Sequence, residues 1–179
     1  MAYNSMQTEA QASVEKFASV AREFCEFVDN AATMDRQAFS LALPINLAKI
    51  CEAGASLPAV HLASTDSEDS EIEFEREGAG GPVSLEKWSH LQPALSSIFG
   101  EADGYWMLFD PTIDDAPVRG SISDDLADIY IDLQKSLATL TAGSNPSETC
   151  FQAWLLFHSH WYRHAVNALK YSIALLDLP

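Results

Sequence analysis

The chain has 179 residues, of which 47% are hydrophobic and 20% charged, enough apolar material for one globular domain with a sizeable core. Its formal charge of −16 excludes general nucleic-acid binding and disfavours anionic membrane surfaces, since both carry the same sign. Cys25, Cys51 and Cys150 fit no zinc spacing and no CxxC motif, and no uncharged apolar run reaches the roughly 18 residues that span a bilayer. With no secretory signal visible, the expectation is a reduced, cytoplasmic protein.

Val14, Phe17, Ala21, Phe24 and Val28 recur at 3-4-3-4 spacing, which predicts a first helix from about Thr8 to Asn30. A second helix is expected from Asp35, its N-cap, to Ala53, with Phe39, Leu43, Leu47 and Ile50 on one side. Pro44 predicts a kink or split near Ser40 to Leu43, and Gly54 and Pro58 mark the end. Residues 64–84 read as an acidic, Gly-rich loop or arm, because the seven acids and one base of Asp66–Glu77 repel one another into solvent.

Ser84 is the expected N-cap of a third helix carrying Trp88, Leu91, Leu95 and Ile98, kinked at Pro93 and closed by Gly100. The aromatic run Tyr105 to Pro111 reads as an extended connector across the helices. Ser123 is the expected cap of a fourth helix with Asp124 and Asp125 in its first turn, where the helix dipole favours acids. A fifth helix is expected from Pro146 to Leu176. Its only formal charges are Glu148, Arg163 and Lys170, and that poverty makes it the expected spine of the bundle. The fold class is therefore all-α: about five main helices in a single domain over residues 1–179.

The last helix carries the candidate site. His160 and His164 are four apart and share a helix face. Asp125, Asp128 and Asp132 share one face of the fourth helix, and Asp124 stands beside Asp128. A short connection makes the two helices antiparallel neighbours, which brings these acids towards His164. One reading is structural: Asp–His and Asp–Arg bonds, the latter from Arg163, lock the helices together. The other is a divalent metal held by Asp124, Asp128, His160 and His164, with a position open for water as in a metal-dependent hydrolase. An acid–base or small-ligand site among the same residues is a third. No zinc-protease motif and no second E-x-x-H accompanies the histidines, and no other cofactor is expected.

If His164 pairs with a carboxylate, its folded pKa rises and its stabilisation is lost at high pH, with an opposite contribution expected from the carboxylate. Apart from this cluster, Tyr105, Trp106 and Phe109 are candidates for a surface that meets another protein. A non-catalytic interaction or regulatory module is the leading reading, because no catalytic motif is present. Oligomeric state is not legible.

Three blocks carry a resemblance: Tyr105-Trp106 with Phe109-Asp110-Pro111, Gly120 through Tyr130, and His160-Trp161-Tyr162-Arg163-His164-Ala165. Together they resemble an uncharacterised bacterial family known only as a domain of unknown function of about this length. The likeness runs from Phe17 onward, outside the acidic arm. Tyr162 stands where the resemblance leads one to expect a small residue such as glycine. The resemblance implies an all-helical bacterial cytosolic domain and no activity, cofactor or partner.

Overall fold

A computed structural model describes residues 2–59, 82–108, 112, 116–141 and 145–176. The acidic stretch up to residue 81, His61, Phe109 to Pro111, Asp114, Asp115 and Gly143 lie outside the described residues. Among the described residues, six α-helices and one two-stranded hairpin follow in order.

Helix α1, Ala2–Asp29, starts earlier than the periodicity predicts. Its stripe Val14, Phe17, Ala21, Phe24 and Val28 is wholly buried, as the spacing requires. A 3-10 turn, Ala31–Thr33, leads to α2, Arg36–Ala55. Asp35 caps α2 by accepting from the amides of Gln37 and Ala38 at 3.0 and 3.1 Å. The expected split at Pro44 does not occur, and α2 runs through it. The helix ends at Ala55, close to the expected end, and its penultimate residue is Gly54. Its role is space: a Cβ there would sit 2.5 Å from Phe157 Cδ2 and 2.8 Å from Trp161 Cη2.

Helix α3, Pro82–Phe99, begins before Ser84 and continues through Pro93. Gly100 ends it at φ 59°, a left-handed conformation that glycine adopts without a Cβ penalty. A 3-10 turn, Gly100–Asp103, feeds strand β1, Gly104–Met107, which pairs antiparallel with β2, Val118–Ser121. The Tyr105–Met107 part of the expected connector is thus one arm of a hairpin.

Helix α4 spans Ile122–Thr141. Its cap is Ser121, not Ser123: the Ser121 hydroxyl accepts from the Asp124 amide at 3.3 Å. Asp103 supplies a second cap, with Oδ1 accepting from the Ser123 amide at 3.0 Å. Its Oδ2 accepts from the hydroxyls of Ser96, Ser121 and Ser123. That carboxylate satisfies one orphan amide at the positive end of the helix.

The predicted long fifth helix is interrupted. Helix α5, Pro146–Leu156, passes into a π turn, Phe157–Trp161, and then α6, Tyr162–Leu175. Nor is this assembly the spine. Helix α4 packs against α1, α3, α5, α6 and the π turn and is buried nearly all round. Charge poverty misidentified the centre, because α6 exposes Val166 and Ile173 while α4 buries Asp125 and Asp132 against partners. All three cysteines are free thiols, and burial pushes each up to about 11. No helix among the described residues is long and apolar enough to cross a membrane.

Candidate functional site

The seam between α4 and α6 is antiparallel. Asp125 meets His164, and seven residues further along α4, Asp132 meets His160, four residues back in the chain. His164 Nδ1 donates to Asp125 Oδ1 at 2.8 Å, and its Nε2 lies 3.6 Å from Asp128 Oδ2. His160 Nδ1 donates to Asp132 Oδ2 at 2.6 Å. The two imidazoles stand 5.0 Å apart at 61°. Asp128, His160 and His164 each bring one ligand atom within 4.8 Å of the others.

A further set of groups holds these side chains. Trp88 Nε1 of α3 donates to Asp128 Oδ1 at 3.0 Å. The Tyr105 hydroxyl of β1 donates to Asp125 Oδ2. Lys135 donates to Asp132 Oδ1 at 3.0 Å. The π turn contributes by sending Phe157 and Trp161 into the core while His160 stays at the seam. π turns of this kind are frequent at functional positions in helices.

Burial pushes the Asp125 carboxyl up, and the bonds it accepts from His164 and Tyr105 offset this only in part, so its pKa stands above the ordinary 3.8. Asp124 is raised as well, by burial first and then by Asp128 and Asp125. Burial would push His164 down. Its bond to Asp125 and the charges of Asp125, Asp128 and Asp124 outweigh that, and its pKa rises above 6.5. Burial and Asp125 together raise the Tyr105 hydroxyl. The expected opposition in sign is therefore absent. Asp124, Asp125 and His164 all hold protons more tightly in the folded chain.

Asp125, Asp128, His160 and His164 are thus brought into one seam, whereas Asp124, expected as a fourth ligand, acts on His164 only through its charge and is not among the three clustered donors. The Arg163 side chain is exposed and donates from Nε to the Tyr162 hydroxyl at 2.9 Å. Tyr162 in turn packs its ring 6.0 Å from that of Phe157. His158 is also exposed and lies 4.5 Å from the Trp154 ring. Of the aromatic surface candidates, Trp106 is 74% exposed, whereas Tyr105 is buried and belongs to the seam. Phe109 lies outside the described residues.

A family described as a domain of unknown function, DUF5063, matches residues 8–176. The chain belongs to the DUF5063 family. Protein BF1032 from Bacteroides fragilis, known from a crystal structure, is similar to this DUF5063 domain at 24% identity, over 91% of each chain, with a TM-score of 0.67. At that identity the likeness concerns the fold alone. No functionally curated protein matches the chain.

Sequence reasoning missed Trp88 and Tyr105 as partners of the acids. Their aromatic character points equally to core, and nothing in their local spacing marks the polar end of either ring. Asp132 was legible as part of the α4 acidic face. Its pairing with His160 follows once the helices are antiparallel.

Proposed function

We propose that this DUF5063 domain binds a divalent first-row transition metal through His160, His164 and Asp128. One observation carries the reading. Each of the three donors has its other polar atom already held: His160 Nδ1 by Asp132, His164 Nδ1 by Asp125, and Asp128 Oδ1 by Trp88. With both Nδ1 atoms engaged as donors, Nε2 is the atom left on each ring to ligate. Asp128 Oδ2 already faces the Nε2 of His164. Ligand histidines in metal proteins are held by carboxylates in this way, which fixes tautomer and ring orientation.

Bonds of about 2.1 Å place neighbouring donors roughly 3–3.5 Å apart, a spacing that His164 Nε2 and Asp128 Oδ2 nearly have already at 3.6 Å. Three protein ligands leave positions for water, the arrangement of open rather than structural sites. The charge of −16 concentrates cations at such a seam. Protein purified without a histidine tag is expected to bind one equivalent of Co(II) or Zn(II) and to gain thermal stability. The double substitution His160→Ala, His164→Ala is expected to remove both effects. No saturable binding by the wild-type protein would sink the reading.

A second reading rests on Trp106. Its exposed ring, with Leu108 two residues further along also exposed, gives the outer face of the hairpin the composition of a protein-binding surface. The acidic chain suits a basic partner. Trp106→Ala is expected to change stability by less than about 0.5 kcal/mol while abolishing capture of such a partner. Capture of the same proteins by wild type and variant counts against it.

A further inference from the structure

We infer that Tyr105 is a positioning residue of the His160–His164–Asp128 centre, acting through Asp125 on His164 and tying the β-hairpin to the centre. The inference rests on the metal reading above. Tyr105 is the inward residue of β1, and its hydroxyl takes Asp125 Oδ2 while His164 takes Oδ1 of the same carboxylate. A carboxylate gripped at both oxygens cannot swing about its own axis. The orientation of the His164 ring is therefore set from the hairpin.

The hairpin is shaped to hold that phenol in place. Gly120, the residue paired with Tyr105 on β2, leaves room for the ring: a Cβ there would lie 2.8 Å from Tyr105 Cζ. Tyr171 of α6 stacks on the other side, with centroids 4.7 Å apart. The Tyr171 hydroxyl donates to the carbonyls of Ala102 and Gly104, which anchors the start of β1. On the other half of the centre, His160 is held by Asp132, which is held by Lys135. The Lys135 side chain is 31% exposed, so water competes there. His164 is the rigid ligand and His160 the softer one.

The alternation of β1 gives this tie an external face. Tyr105 points to the centre, and the next residue, Trp106, points into solvent. Whatever orders the centre orders the strand that carries Trp106, and by reciprocity a partner on Trp106 alters metal affinity.

The test is Co(II) titration of the full chain, read by its visible absorption. Tyr105→Phe keeps the ring and removes only the hydroxyl, and is expected to lower affinity about tenfold. Trp106→Ala, on the same strand, is expected to stay within about twofold. In an Asp125→Asn background the Tyr105→Phe effect is expected to shrink, because the two substitutions break one chain of contacts. A packing role predicts equal effects in both backgrounds.

A second measurement needs no substitution. Metal loading of the wild type is expected to slow amide exchange severalfold in 104–107 and 118–121. Wild-type affinity in Tyr105→Phe, or hairpin exchange indifferent to bound Co(II), overturns the inference while leaving the metal reading intact. Absence of Co(II) binding by the wild type ends both.

Discussion

Trp161→Ala is expected to destabilise the domain by about 3–5 kcal/mol, the range for deleting a fully buried large aromatic side chain. Trp161 is 0% exposed, packs edge-on to Phe157 at 4.7 Å and stacks on Phe17 of α1 at 6.4 Å. It also meets α2 where Gly54 withdraws its side chain. One ring thus joins α1, α2 and the π turn. Set against a typical domain stability of about 5–15 kcal/mol, its loss is severe. Chemical denaturation of the purified variant checks this, and a change below about 1 kcal/mol would mean that the π turn does not pack as described.

Trp161→Phe is expected to be far milder. The indole Nε1 is buried and has no hydrogen-bond partner among the described residues. Phenylalanine removes that unsatisfied donor, which offsets part of the lost contact area. Gly54→Ala approaches the same junction from the other side. At the penultimate position of α2 alanine gains less than the roughly 1 kcal/mol it holds over glycine in a helix interior, so the junction decides the sign. Net destabilisation of about 1–2 kcal/mol is expected, since the added methyl meets the buried rings of both Phe157 and Trp161.

The sequence reveals the helices wherever apolar spacing is regular. The stripes of α1 and α2 are buried residue for residue, and Asp35 caps as its type and position require. The acid face of α4 and the imidazole face around His160 were legible for the same reason: both follow from helical period. What escaped depends on contacts between distant segments. No periodicity distinguishes a π turn from an α-helix across five residues, so α5 and α6 read as one rod. Gly54 marks the end of α2 to within a residue, but nothing local shows that it also makes room for the rings of Phe157 and Trp161. Asp103 caps α4 from eighteen residues before Ser121, beyond the range of any local capping pattern. The central position of α4 was hidden by its own aspartates, which are tolerable inside only because histidines, Tyr105 and Lys135 meet them.

His164→Ala is expected to cost about 2–3 kcal/mol near pH 6, below the roughly 3–5 of a fully buried pair because the ring is one-quarter exposed. The loss comes from Asp125, whose side chain is 7% exposed and would keep only its bond from Tyr105. The pH dependence identifies the charge state. A histidine whose folded pKa lies above 6.5 contributes fully below that value and loses its contribution as pH rises through the folded one. The difference between wild type and variant should therefore be largest just below pH 6.5 and shrink on the alkaline side. Asp124 and Asp125, raised above 3.8, add a decline of the same sign at lower pH rather than opposing it. Urea unfolding of metal-free protein at a series of pH values separates the two windows, and NMR titration of the His164 ring assigns the upper one. A difference that grows with pH would mean that the imidazole is held neutral in the seam, and the pairing with Asp125 and Asp128 would have to be abandoned.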